Sequence, residues 1–141
     1  MQTLSKKVYL APDILFGYLD RTDNKHSQIA AYFRYFAQNQ YHLYTDSISI
    51  YQAYEKVVTE MSRSIANEFL RTLFLSNINI IYPDESDIRA AIKILLNDKT
   101  NELTFQVAVM VVLADRRGIS QICTTAYIHT MFGLSIFYLP M

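Results

Sequence analysis

VYLAPDILFGYLD, residues 8–20, sets a short apolar run directly before a segment of helical spacing. Lys7–Leu10 has the aromatic and β-branched content of a strand, and Pro12 suits the first turn of the helix that follows. Ile14, Leu15, Tyr18 and Leu19 then recur as one side of a helix would require. The stretch therefore predicts a strand that passes through a tight turn into a helix.

The same alternation continues to the end of the chain. Strands are predicted at His42–Thr45, Ile78–Tyr82, Ile119–Cys123 and Ser135–Leu139. Helical spacing fills the intervals: a helix opening at Asn24 to Ser27, a long helix from Ser47 to Ile65 whose pattern runs on to Leu73, one beginning after Pro83, one from Leu103 to Arg117, and a brief one at Ile128 to Phe132. We predict an α/β, doubly wound and mainly parallel five-stranded sheet with helices on both faces, in a single domain over residues 1–141.

Composition narrows the functional classes. The chain has 141 residues, of which 51% are hydrophobic, and its 13 Lys and Arg balance 13 Asp and Glu, so no overall field attracts nucleic acid or anionic lipid. The single cysteine, Cys123, is expected to be an inert core thiol. The longest apolar run, residues 107–114, is far below the roughly 20 residues that span a bilayer. A soluble, cytoplasmic protein without membrane contact is therefore predicted.

Ligands of doubly wound folds bind at the carboxyl ends of the strands, near the place where the strand order reverses. The loops that begin at Ala11, Thr45, Tyr82 and Thr124 are predicted to share that edge of the sheet. Candidate functional residues are therefore sought in and beside these loops.

Four segments in order resemble PIN-domain proteins, and each lacks one expected acid. VYLAPDILFGYLD (8–20) is similar to the family's opening strand and helix, with Ala11 in place of Asp. TDSISIYQAYEKV (45–57) resembles the segment whose helix carries Glu, and Gln52 stands there. NELTFQVAVMVVLADRRGI (101–119) and ISQICTTAYIHTMFGL (119–134) are similar to the two remaining acidic segments, with Gln106 and Ala126 at the positions of Asp.

The resemblance implies a ribonuclease fold of the toxin type, in which converging carboxylates hold Mg²⁺ or Mn²⁺. Such hard cations need oxygen ligands and a matching negative charge. Gln52 and Gln106 supply no charge, and the methyl groups of Ala11 and Ala126 supply no ligand, so we predict no catalytic residue, no metal and no cofactor. The polar residues that remain near the cleft are Asp13, Asp46, Ser47, Thr104, Thr124 and Thr125.

Structural roles compete with functional ones for these polar residues. Asp13, Ser47 and Thr104 are expected to act as helix caps, and Asp46 or Ser47 caps the long helix. Gln106, near the start of an apolar helix, is expected to pair with Gln52 or Thr124. The three histidines, His26, His42 and His129, lack metal-binding spacing.

Three functional hypotheses remain open. The first is a catalytically degenerate PIN-like domain, a pseudo-nuclease that acts as a dimerising, partner-binding or regulatory protein. A homodimer is expected because the helix from Ser47 to Ile65 is apolar on more than one face; a protein partner and RNA along the rim are left open. The second is an Mg²⁺- or Mn²⁺-dependent ribonuclease, the toxin of a toxin–antitoxin pair, working with displaced acids such as Asp13 and Asp46. The third is an engineered inactive form of such a nuclease.

Overall fold

A computed structural model describes residues 6–100, 102–125 and 134–138. Five strands form one sheet in the order β3-β2-β1-β4-β5, and every pairing is parallel. The strands are β1 (Lys7–Leu10), β2 (His42–Asp46), β3 (Asn79–Ile81), β4 (Gln121–Cys123) and β5 (Ser135–Ile136). The predicted α/β, doubly wound class is confirmed, and the sheet is wholly parallel in these residues.

Helices connect the strands. They are α1 (Pro12–Leu19), α2 (His26–Gln38), α3 (Ser47–Glu60), α4 (Arg63–Leu75), α5 (Glu85–Leu96) and α6 (Phe105–Arg116). Each predicted strand is present, though β3, β4 and β5 are shorter than the apolar runs that predicted them. The brief helix predicted at residues 128–132 lies outside the described residues. Within those residues, no helix has the length and apolar character needed to cross a membrane.

The two faces of β1 explain why helices cover both sides of the sheet. Successive side chains of a strand point to opposite faces. Val8 and Leu10 belong to a buried cluster with α1, α2, α3 and α4, whereas Tyr9 belongs to a cluster with α5 and α6. The central strand therefore carries a separate apolar core on each face.

One helix predicted as continuous is in fact two. The chain leaves the helical conformation at Met61 and Ser62, and the Ser62 hydroxyl accepts a hydrogen bond from the backbone N–H of Ile65. A serine that caps a new helix competes with continuation of the old one. The prediction of a single helix from Ser47 to Ile65 was therefore wrong, and α4 packs back against α3.

A partly buried ion pair joins α5 to α6. Asp84 and Asp87 cap the start of α5 reciprocally, and Arg116 Nη1 donates to Asp87 Oδ1 at 2.6 Å. The Asp87 side chain is only 8% exposed. Burial alone would raise the pKa of Asp87, but the hydrogen bonds from the Asp84 backbone and from Arg116 outweigh it and hold that pKa below its ordinary value.

Asp87→Asn is expected to lower the free energy of unfolding by about 2 kcal/mol near neutral pH, because it removes a charge-assisted hydrogen bond. The folded-state pKa of Asp87 is depressed, so its stabilisation is present above the unfolded pKa of about 3.9 and disappears as the pH falls through the lower folded value. Urea unfolding of both proteins across this range should show the difference shrinking in acid.

Glu85→Gln is the matched control. Glu85 pairs with Arg89 on the surface of the same helix, with both side chains more than three-quarters exposed. Exposed pairs contribute about 0–1 kcal/mol. Equal effects of Asp87→Asn and Glu85→Gln would contradict the role given to the buried pair.

Candidate functional site

A cleft of about 320 Å³ opens at the carboxyl ends of β1 and β4. We call it the rim cleft. Its apolar walls come from Ala11, Pro12, Val107 and Met110, and its polar groups come from Asp13, Gln52, Thr104, Gln106 and Thr124. The strand order reverses around β1 here, which is where the sequence placed the site.

Three of the four positions that lack an acid line this one cleft. Ala11 follows β1 and is 5% exposed, and its backbone N–H donates to Cys123 O on β4. Gln52 lies in the second turn of α3 with its side chain exposed, and Gln106 lies in the first turn of α6. Ala126 is outside the described residues. The expected convergence therefore holds for Ala11, Gln52 and Gln106.

Asp13 is the only acidic residue among the described residues that line the rim cleft, and the chain itself satisfies it. Oδ1 accepts from Thr124 Oγ1 at 2.9 Å, and Oδ2 accepts from the backbone N–H and the hydroxyl of Thr125 at 2.7 and 2.8 Å. Asp13 does not cap α1, whose N-cap is Ala11 without a side-chain bond. The predicted capping role was wrong because these donors, 111 and 112 residues away, hold the carboxylate.

Asp46 is buried beneath the rim cleft rather than lining it. Its carboxylate, in a residue 1% exposed, accepts from Tyr9 OH at 2.5 Å, from Ser49 N at 2.7 Å and from Ser49 Oγ at 2.8 Å. Burial first, and then the adjacent Asp46, raise the pKa of Tyr9 well above its ordinary value, so the phenol stays protonated and donates. Asp46 is the N-cap of α3, and Ser47 is the first buried residue of that helix.

The orientation of Gln106 follows from Asp46. The single hydroxyl hydrogen of Ser49 is given to Asp46, so Ser49 Oγ accepts from Gln106 Nε2 at 3.1 Å. The same amide nitrogen lies 3.9 Å from Met110 Sδ. Gln106 therefore directs its donors inward to Ser49 and Met110 and leaves Oε1 as its acceptor for the cleft. The predicted pairing with Gln52 or Thr124 was wrong.

The remaining predicted polar residues have structural contacts. Thr104 caps α6 by accepting from Val107 N at 3.1 Å, as expected of a cap, and it also lines the cleft. Thr124 and Thr125 hold Asp13. His26 Nδ1 lies 3.0 Å from Gly17 O, and His129 is outside the described residues.

A second cavity of about 310 Å³ adjoins the first and shares Asp13 with it. We call it the lysine cavity because Lys25 and Lys56 line it, although the carboxylates of Asp13 and Asp23 balance their charge. The rest of its lining includes Phe16, Asn24 and Thr125. Lys56 Nζ lies 4.3 Å from the centre of the Phe16 ring, and Lys25 Nζ lies 3.5 Å from Thr125 O. Within the described part of the chain, neither ammonium group forms an ion pair.

The residues of the rim cleft do not fit the divalent metal of a PIN-type nuclease. Mg²⁺ and Mn²⁺ need several oxygen ligands with enough negative charge. The cleft offers one carboxylate, already held by two threonines, and the neutral amides of Gln52 and Gln106. Over the described ranges, no three His, Cys, Asp or Glu side chains cluster as metal ligands do.

Two residues of this arrangement were not predicted from the sequence. Tyr9 and Ser49 are both completely buried and together satisfy Asp46. In the sequence, nothing distinguishes Tyr9 from other aromatic residues of strands, or Ser49 from other small residues of helices. The signal available for Ser49 was its place three residues after a capping aspartate, where side chain and backbone can bond together.

Neither a family model nor a curated protein matches this sequence. Solved structures do. VapC20 of Mycobacterium tuberculosis, described as a Sarcin-Ricin loop cleaving toxin, has a TM-score of 0.73 at 12% identity over 82% of this chain and 86% of its own. VapBC2 of Rickettsia felis, bound to a DNA fragment from its promoter, has a TM-score of 0.64 at 12% identity, over 85% of this chain and 87% of its own. FitAcB of Neisseria gonorrhoeae has a TM-score of 0.66 at 14% identity, over 93% of this chain and 96% of its own. The PIN-like fold is thereby confirmed.

Tyr9→Phe is expected to destabilise the protein by about 2 kcal/mol, since it removes a buried hydrogen bond to a charged group. Tyr54→Phe is the matched control because Tyr54 OH donates to the neutral Asn67 Oδ1, and about 1 kcal/mol is expected there. Denaturant unfolding measures the change in unfolding free energy for both variants.

The effects of Tyr9→Phe and Ser49→Ala on the free energy of unfolding should also be non-additive, because both substitutions remove a hydrogen bond to Asp46. Independent, equal effects would refute the shared network.

Proposed function

We propose that this chain is a PIN-like domain that binds a partner in its rim cleft without metal-dependent hydrolysis. The observation that carries the proposal is the meeting of Ala11, Gln52 and Gln106 around Asp13, the one acid in the described lining. The cleft keeps the place of a nuclease site and lacks its charge. Its mainly apolar walls and neutral amides suit a ligand held by contact and hydrogen bonds.

The chemistry of phosphodiester hydrolysis supports this reading. A divalent ion in such a site activates water and stabilises the charge that develops on the phosphate. Without carboxylates to retain the ion, neither effect is available, and Gln52 and Gln106 are poor general bases because amides do not take up protons near neutral pH. The function proposed is therefore binding or regulation, the role first expected from the sequence.

An active ribonuclease with displaced acids is the second candidate, motivated by the toxin named among the similar structures. It requires Asp13 and Asp46 to face a common point. Asp46 is buried with Tyr9 and Ser49 outside the lining of the rim cleft, and Asp13 is held by Thr124 and Thr125. The positions of both acids favour the binding function over this one, whether the missing acids are natural or engineered.

Restoring the acids tests the proposal. The variant Ala11→Asp, Gln52→Glu, Gln106→Asp and Ala126→Asp is expected to gain Mn²⁺ binding in calorimetry and a rise in Tm with Mn²⁺, while the unchanged protein shows neither. Ligand at about 100 times its Kd stabilises a fold by about 2.7 kcal/mol, which is several degrees in Tm. The charge-matched control places four acids at exposed helical positions: Ala37→Glu, Gln38→Glu, Thr59→Glu and Thr72→Glu.

The control should not respond to Mn²⁺. RNA is incubated with each protein in the same experiment. Mn²⁺-dependent cleavage by the unchanged protein, abolished by Asp13→Ala, would overturn the proposal in favour of the displaced-acid nuclease.

Self-association is part of the proposal. Phe74 and Leu75 at the end of α4 are 59% and 87% exposed, and Tyr51 on α3 is 63% exposed, so large apolar surface remains on these helices. Sedimentation at micromolar concentration is expected to show a homodimer that Phe74→Glu with Leu75→Lys weakens. A monomeric unchanged protein would contradict the dimer, leaving a different protein as the partner.

A further inference from the structure

Four charged side chains line the lysine cavity without pairing with one another. Lys25 and Lys56 carry the positive charges and Asp13 and Asp23 the negative ones, and within the described residues none of them forms an ion pair. We propose that the cavity binds the ammonium and carboxylate groups of a free α-amino acid whose amide side chain occupies the rim cleft. The inference rests on the proposed function, because this side chain takes the space that a nuclease would give to its metal.

The two acids have acceptor positions left for an ammonium group. Asp23 Oδ1 accepts from the backbone N–H of Lys25 at 2.7 Å, and no other described residue donates to this carboxylate. Among the described donors, Asp13 Oδ1 receives only the Thr124 hydroxyl, whereas Oδ2 receives two hydrogen bonds from Thr125. A carboxylate has about four lone-pair sites. Asp13 and Asp23 can therefore still accept from a ligand.

The two lysines have donors left for a carboxylate group. Lys56 Nζ lies 4.3 Å from the centre of the Phe16 ring, and no described oxygen accepts a hydrogen bond from it. Lys25 Nζ makes one long contact, of 3.5 Å, with Thr125 O. Because neutral partners hold these groups, the charges stay separated around the cavity. A net neutral ligand that carries both signs matches this arrangement better than a lone anion or cation.

The rim cleft suits a short side chain that ends in an amide. Its apolar walls can contact methylene groups, and Gln52 and Gln106 supply its amides. Gln106 directs its amide nitrogen to Ser49, so its Oε1 accepts from a ligand amide N–H. Gln52 is exposed and makes no hydrogen bond with a described residue, so it can donate to the ligand amide oxygen. An aliphatic side chain offers Gln106 no donor, and a carboxylate sets a second acceptor against it.

The two cavities follow one another along α3. Gln52 lines the rim cleft and Lys56, one helical turn later, lines the lysine cavity, about 6 Å further along the axis. Asp13 lines both. With about 320 and 310 Å³, each cavity lies at the small end of the range of about 300–1,000 Å³ for small-molecule sites. A ligand of amino-acid size therefore suits the pair.

NMR titration of the full chain with L-glutamine in EDTA tests the assignment. A Kd below about 1 mM is expected. Glutaramate lacks the ammonium group and 4-aminobutanamide lacks the carboxylate, so each should bind about tenfold more weakly. L-Leucine and L-glutamate keep both α-groups and lack the side-chain amide, and each should also bind about tenfold more weakly.

Two variants separate the charged contacts. Lys56→Gln should weaken glutamine binding about tenfold and leave 4-aminobutanamide binding unchanged, because that analogue has no carboxylate. Asp23→Asn should weaken glutamine binding by a similar factor and leave glutaramate binding unchanged, because that analogue has no ammonium group. The asparagine oxygen still accepts from the Lys25 backbone N–H, which preserves the turn. A general loss of structure would instead weaken all three ligands alike.

Lys93→Gln and Glu85→Gln are the matched controls. Both residues are exposed on α5, which contributes no described residue to the lining of either cavity. Both variants should bind glutamine as the unchanged protein does. Gln52→Ala should reduce the preference for glutamine over leucine. Equal glutamine binding by Lys56→Gln, Asp23→Asn and the unchanged protein would overturn the assignment.

The outcomes distinguish the amino-acid site from the proposed function. Absence of glutamine binding at millimolar concentration, or equal binding of glutamine, leucine and glutamate, overturns the amino-acid site and leaves the metal-free binding function intact. Mn²⁺-dependent RNA cleavage by the unchanged protein, measured separately without EDTA, removes the proposed function itself.

Discussion

The buried carboxylate of Asp46 is the constraint on which the site depends. A charge in the interior is tolerated only when hydrogen-bond donors surround it. Tyr9 from β1 and both donors of Ser49 from α3 supply them. Because Ser49 must give its hydrogen to Asp46, it can only accept from Gln106, and so one charge at the end of β2 fixes an amide on α6. The orientation of the Gln106 amide in the rim cleft therefore depends on a carboxylate that lies outside the lining of the cleft.

The two acids near the site, Asp13 and Asp46, share a property that separates them from metal ligands. Each accepts three hydrogen bonds from the chain, and at least one donor in each case comes from a distant segment: Tyr9 for Asp46, and Thr124 and Thr125 for Asp13. Carboxylates gathered around a metal repel one another when the metal leaves. Here the two carboxylates lie on different elements, and hydroxyl and backbone N–H donors stabilise their charges. This arrangement of the two carboxylates is the physical basis of the proposal that the cleft is catalytically degenerate.

Much of the scaffold could be predicted from the sequence, and the contacts within the site could not. The period of two in β1 and the helical spacing after Pro12 gave the layer arrangement, and four ordered segments gave the positions of Ala11, Gln52 and Gln106. The break at Ser62 was missed because the apolar spacing of α3 continues smoothly into α4. The bond between Gln106 and Ser49 was missed because it joins residues 57 apart, and periodicity carries no information about such pairs.

Ala11 has a consequence for evolutionary change. It is 5% exposed, beside Asp13 and against apolar walls. A lone aspartate arising there would be desolvated next to another carboxylate with no cation to offset it, which is costly for folding. A first acid at Ala11 is therefore unfavourable, and it becomes tolerable only together with further acids that allow the cleft to bind a cation. Ala11 therefore disfavours a stepwise return of negative charge to the rim cleft during evolution.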